Sequence, residues 1–275
     1  MLIYNKNLIG GFNMPTTYAH YTFGGLVLDK LDNDVKKLIS ANINLFNIGL
    51  HGPDILFYFK ALSSNRISKI GHEIHNLTAD NFFENAKGVI NECSNRDAAC
   101  AYIMGFICHF MLDSECHPYV NEKESDKITH SEIETEFERF LMIKNNIEPL
   151  SFRPTSHIIP DMEYAKCISL FYKNVSSNEI LKAIKSMKIY LNILVAPGHF
   201  KRSIIIKALK LSGNYDSMIG LLMNYTENPA CVETSKNLYD LYTKAIVPTA
   251  GLINEYYKNI NSSQPINKRF FRTFG

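Results

Sequence analysis

The chain has 275 residues and is 46% hydrophobic, enough to bury a substantial core in one domain or two. Its 29 basic and 27 acidic residues leave a formal net charge of +2, too balanced to argue for nucleic acid or an anionic membrane surface as a partner. No apolar run approaches the roughly 20 residues of a bilayer-spanning helix, so no transmembrane segment is expected.

The first thirteen residues, MetLeuIleTyrAsnLysAsnLeuIleGlyGlyPheAsn, lack a charged start followed by a continuous apolar stretch, and make a poor signal peptide. Met14 opens a more protein-like segment. Residues 1–13 therefore read as an N-terminal extension, residues 14–275 as a single helical domain, and cytoplasmic residence is the expectation.

Nearly every long segment shows helical rather than alternating periodicity. The candidates are about 20–30, 33–48, 76–93, 96–117, 130–146, 160–174, 177–192, 199–211, 214–224 and 232–260. HisPro at 117–118, ArgProThr at 153–155, ProGly at 197–198 and AsnPro at 228–229 punctuate them, and Asp97 and Ser177 read as N-caps. No Val/Ile/Thr-rich alternating run is bounded by hairpin turns. The fold class expected is all-α, a compact multi-helix domain. The six cysteines contain no CxxC pair, and four of them step by seven or eight residues from Cys93 to Cys116, as small apolar residues on one helix stripe would. Phe270, Phe271 and Phe274 suggest a C-terminal strap packed back on the domain.

The chemistry concentrates in the histidines. Seven of the nine lie between His20 and His130: His20, His51, His72, His75, His109, His117 and His130. His109, Asp113 and His117 fall at i, i+4 and i+8 on one helix face, behind a mostly apolar stretch from Ala98 to Cys108. Three such groups on a buried helix are costly unless something pairs with them, and a metal ion would do so. His130 and Glu134 form a second one-turn pair. In GlyHisGluIleHis at 71–75 the histidines are three apart, which fails the spacing of a zinc-protease helix but still allows one ligand and one supporting donor. Asp54, after the Gly-Pro turn at 52–53, suits either a helix N-cap or a metal ligand or general base. Tyr18, Tyr21, Tyr58 and Tyr119 could line a pocket or simply fill core.

Taken in order, ThrTyrAlaHisTyr (17–21), GlyProAspIle (52–55), GlyHisGluIleHis (71–75), HisPheMetLeuAspSerGluCysHisPro (109–118) and HisSerGluIleGlu (130–134) resemble the zinc-dependent phospholipase C family. That family shares its all-α fold with single-strand-specific zinc nucleases. The resemblance implies two or three zinc ions. Asp54, one of His72 and His75 (His75 preferred), His109 and Asp113 would hold the first. His117, His130 and Glu134 would hold the second, and His20 with a bridging Asp113 the third. The family's histidine two residues after the proline is here Val120, so His117 takes its place, and no Trp is present to supply a terminal amine. A chain starting at Met14 and losing it would offer the amine of Pro15 instead. The activity implied is hydrolysis of a phosphoester, phospholipid or other phosphodiester, by metal-activated water with Asp54 as its catalytic partner. A nuclease or small-molecule phosphatase on the same scaffold, or a non-catalytic metal-binding protein, are the alternatives, and the sequence carries no strong nucleic-acid signature.

Overall fold

Asn95 opens the helix around which the rest is built: its side chain accepts the amide of Ala98 at 3.2 Å. The computed structural model describes residues 17–125 and 128–275; the extension at 1–13 and the expectation on Pro15 lie outside them. Twelve α-helices occur among the described residues, and no strand. They are α1 (Thr17–Leu28), α2 (Asn33–Ala41), α3 (Ile43–Gly49), α4 (Arg66–Asn76), α5 (Asp80–Glu92) and α6 (Arg96–Lys123). After them come α7 (His130–Lys144), α8 (Met162–Ser169), α9 (Ser177–Leu194), α10 (His199–Leu211), α11 (Tyr215–Met218) and α12 (Val232–Asn259). The fold is all-α.

Every residue of α6 from Ala98 to Ser114 is buried. A helix apolar on all sides belongs at the centre, and α1, α3, α5, α7 and α12 pack around it. Its tightest neighbour is α3. A Cβ on Gly49 would come within 2.1 Å of the Tyr102 carbonyl oxygen, and one on Gly105 within 2.2 Å of that of Phe46. The two backbones touch, which fixes the segment after α3 against the middle of α6. That segment, Gly52–Tyr58, is a fully buried 3-10 turn carrying Asp54.

The expected helices differ from the observed ones where local chemistry outweighed periodicity. Asn95 and Ser176, not Asp97 and Ser177, are the N-caps; Ser176 forms a capping box with Glu179. The expected helix 33–48 is broken at Asn42 into α2 and α3. The expected helix 76–93 begins only at Asp80, and an unexpected helix, α4, precedes it, started by the capping box of Asn65 and Ser68. The segments 160–174 and 214–224 shorten to α8 and to α11 with a following 3-10 turn.

The helix expected to end at 117 runs through Pro118 to Lys123. Proline has no N–H for the carbonyl four residues back, which here is Ser114. Arg272 donates to that carbonyl and pairs with Glu115, as does Arg269. The C-terminal strap therefore satisfies the group that Pro118 orphans. Phe270 and Phe274 are fully buried in it, whereas Phe271 is exposed. All six cysteines are free, and four are buried, as small apolar residues would be.

Candidate metal centre

α6 presents His109, Asp113 and His117 on successive turns, and the structure assembles the other elements around that face. Gly52 adopts φ +47, and a Cβ there would strike the His109 ring at 2.2 Å. Only glycine lets the 3-10 turn pass beneath the imidazole. The turn then aims Asp54 at the histidines: Oδ2 lies 3.6 Å from His109 Nε2, and Oδ1 lies 2.9 Å from His75 Nε2.

His75 sits in the last turn of α4. Its Nδ1 donates to the Gly71 carbonyl at 2.8 Å, which leaves Nε2 as the atom facing Asp54. His72, one turn earlier, is exposed and packs on Phe57. The structure thus brings His75 into the cluster and leaves His72 outside it.

Two groups result. Donor atoms of Asp54, His75, His109 and Asp113 lie within 4.8 Å of one another, as do those of His117, His130 and Glu134. α7, capped by Thr129, delivers the last two. Asp113 stands between the groups: Oδ2 is 3.0 Å from His109 Nε2, and Oδ1 is 3.7 Å from His117 Nε2. His20 on α1 also reaches Oδ1, at 3.1 Å, and stacks on His109. Of the four tyrosines, Tyr18 and Tyr58 are buried core and Tyr21 is exposed.

The electrostatics are those of anions crowded by imidazoles. Burial opposes ionisation of Asp113, but His109, His117 and His20 outweigh it and hold its carboxyl well below the usual range. Burial likewise opposes charge on His75, and Asp54 overcomes it to raise the imidazole. His130 is raised by Glu134 in the same way.

The donor set fits zinc, which takes imidazole nitrogen and carboxylate oxygen. Buried polar atoms without a hydrogen-bond partner collect here: Nδ1 of His20, both ring nitrogens of His109, Nε2 of His130 and Oε2 of Glu134. Each such atom costs about 1–3 kcal/mol if left unsatisfied. A cation taking the one free lone pair of each imidazole and one from Glu134 would relieve that cost at those atoms. The protonated ring nitrogen of His109 would gain nothing from it.

Glu138 and His157 were not singled out from the sequence, and His51 was named only among the seven clustered histidines. Glu138 follows Glu134 by one turn on α7 and accepts the Tyr18 amide at 2.5 Å, with burial pushing its carboxyl up to about 7. His130, Glu134 and Glu138 repeat the i, i+4, i+8 step of α6, a signal open to reading. His51, just before the Asp54 turn in the chain, meets His157 at 2.8 Å between their Nε2 atoms. Burial lowers both, His157 to about 3, so the pair is held neutral with one ring donating to the other. No local pattern could have joined two histidines so far apart in the chain.

No curated protein and no solved structure matches this chain. The family model described as zinc dependent phospholipase C matches residues 19–192, more than half of the chain. That span contains α6, α7 and every residue of both donor groups. This chain belongs to the zinc-dependent phospholipase C family.

Proposed function

We propose that the protein is a phosphodiesterase of the phospholipase C type, cleaving a phosphodiester at a site built from both donor groups. Family membership supports a zinc-dependent phosphoester hydrolase in general. The finer reading is carried by one observation: Asp113 turns one oxygen toward each group. A carboxylate so placed suits a bridge between neighbouring cations.

Asp54, His75, His109 and Asp113 would hold one zinc, and His117, His130 and Glu134 a second; His20 with Asp113 Oδ1 could support a third. Bound zinc would lower the pKa of water toward neutrality and draw off the charge that builds on the phosphoryl oxygens. The protein's own groups do the remainder. Gly71 fixes His75 through Nδ1, and Gly52 and Phe274 confine the His109 ring from two sides. Asp54 orients the attacking water and takes its proton on a carboxylate oxygen. His72 has no part in the site.

An apolar cleft opens beside Glu134, walled by Met142, Phe152, Leu191 and Leu194. It suits a substrate with a hydrocarbon portion, which favours a phospholipid over a nucleic acid or a small soluble phosphomonoester. We further read residues 14–275 as one domain, in keeping with a main core cluster that runs from Tyr18 to Phe274.

The test is metal content by elemental analysis together with a substrate panel: a phosphatidylcholine, bis-nitrophenyl phosphate, a nitrophenyl monoester and single-stranded DNA. Two or more zinc per chain with hydrolysis of the diesters is expected. Less than one metal per chain, or turnover of the monoester alone, would overturn the reading.

A further inference from the structure

The chain's near-zero net charge conceals a segregation. Between Ile180 and Tyr215 there are seven Lys and Arg residues and no Asp or Glu. Removing these seven from the 29 cations leaves 22 against 27 acidic residues, so the rest of the chain carries a formal −5. The segment runs from Ile180 in the first turns of α9, past its opening Glu179, through a four-residue joint (Val195–Gly198) and α10 to Tyr215.

Both helices turn cations and large apolar side chains outward together. On α9 the exposed stripe runs Lys182, Lys185, Ile189, Ile193, at helical spacing. On α10, Phe200 is 81% exposed and Leu211 90%, with Ile204, Lys207 and Lys210 exposed between them. Only Ile205 of α10 is buried. Lys201 donates to the carbonyls of Asn192 and Val195, so the first turn of α10 is tied to the last turn of α9. That tie gathers Ile193 and Phe200 at the joint. Arg202 is held by the Met223 carbonyl at 2.6 Å, and Lys188 by that of Ile158. Among the described residues no carboxylate neutralises any of the seven cations.

We propose that the α9–α10 joint is a docking surface for an anionic lipid bilayer. Lysines ringing exposed Phe, Ile and Leu are what an interfacial helix presents: the cations meet the anionic headgroups while the apolar side chains enter the acyl boundary. Nucleic acid would find the cations but has no use for isolated aliphatic side chains, which favours the membrane. The last turn of α9 and the joint after it supply Leu191, Leu194, Val195 and Ala196 to the wall of the cleft beside Glu134. Docking would set the cleft's mouth at the membrane face. That last link rests on the phosphodiester reading; the docking itself does not.

The experiment is cosedimentation of the full-length chain with vesicles, either pure phosphatidylcholine or with about a third phosphatidylserine, at low and high salt. Binding is expected to the anionic vesicles only, and to weaken about tenfold or more on raising salt from about 0.05 to 0.5 M, as screening requires. Lys182→Ala, Lys185→Ala and Lys207→Ala combined should weaken it on the order of a hundredfold, and the matching Lys→Arg triple should restore it. Phe200→Ser with Ile204→Ser should weaken it about tenfold at unchanged charge. None of these surface changes should alter zinc content, the melting profile or hydrolysis of bis-nitrophenyl phosphate, so loss of docking reads separately from loss of the catalytic site. Absence of vesicle binding, equal binding to neutral vesicles, or variants that bind like the wild type would overturn the proposal. So would a single-stranded RNA that binds with the same lysine dependence and displaces the vesicles.

Discussion

His20 on α1 and Asp113 on α6 meet at 3.1 Å, Nε2 to Oδ1, and both are buried. The same oxygen faces His117, while the other faces His109. One carboxylate thus touches a histidine from α1 and histidines on either side of it along α6. In Asp113→Asn one anionic oxygen becomes an amide that cannot bridge cations. Zinc content should fall in both groups, and diester hydrolysis by on the order of a hundredfold or more. A variant that keeps the wild-type zinc content would remove the bridging role.

His72 and His75 offer a sharper discrimination, because they are three residues apart on one helix. His75→Ala deletes the imidazole that faces Asp54 and should weaken zinc binding by about 10–100-fold. His72→Ala removes an exposed ring resting on Phe57 and should leave zinc affinity within about twofold. Competition against a chromophoric chelator measures both. The reverse order would show that α4 is rotated from its position here.

The pH dependence of the metal-free protein has a definite sign. His117 is raised from 6.5 to about 9: burial opposes its charge, and Asp113, then Glu134, outweigh burial. A raised histidine favours the folded state fully below pH 6.5, and that contribution is lost as pH rises through about 9. Glu134 is lowered from 4.5 to about 2, burial again opposing and His130 and His117 prevailing. Its contribution is present above pH 4.5 and lost as pH falls through about 2. The metal-free melting temperature should therefore peak between about pH 4.5 and 6.5 and decline toward pH 9. Zinc binding needs neutral imidazole, so the rise in melting temperature on adding zinc should widen above pH 6.5. A metal-free protein that gains stability from pH 6.5 to 9 would contradict this account.

Gly52 is the narrowest point of the site. Gly52→Ala adds a Cβ at φ +47 directly against the His109 ring. Overpacking and left-handed strain together should cost about 2–4 kcal/mol, or about 4–16 °C in melting temperature for a chain of this size. Zinc affinity should fall as well, because the ring must move. Gly251→Ala, on the exposed side of α12 with nothing within 4 Å, should instead stabilise by about 0.5–1 kcal/mol. Calorimetry on the two variants tests whether contact at His109, rather than glycine loss as such, is responsible.

What was legible in the sequence was what lies within a few turns of one helix. His109, Asp113 and His117 announced a shared face by spacing alone, and His130 with Glu134 did the same. α4 was missed because its start depends on the Asn65–Ser68 box rather than on a long apolar stripe. The run through Pro118 was missed because its remedy, Arg272, lies in a remote segment. His51 and His157 meet only through tertiary folding. The charge segregation between Ile180 and Tyr215 was open to reading, but a whole-chain sum of +2 averages it away.

The bond from Arg272 to the Ser114 carbonyl ties the two ends of the ligand helix to different parts of the folding process. The stretch from Ala98 to Asp113 can coil with its own carbonyls satisfied, although Phe106, His109 and Phe110 still await Phe270 and Phe274 for part of their packing. Its last turns, where His117 sits, have a vacant carbonyl until the segment from Lys268 to Phe274 arrives from far along the chain, a slow kind of contact to make. The segment that closes last in folding is also the natural first to open in native-state fluctuations. Amide hydrogen exchange should then be faster around His117 than around His109, and cations should leave the His117 group before the His109 group. Any such order of emptying would be set by a proline and an arginine that lie outside both donor groups.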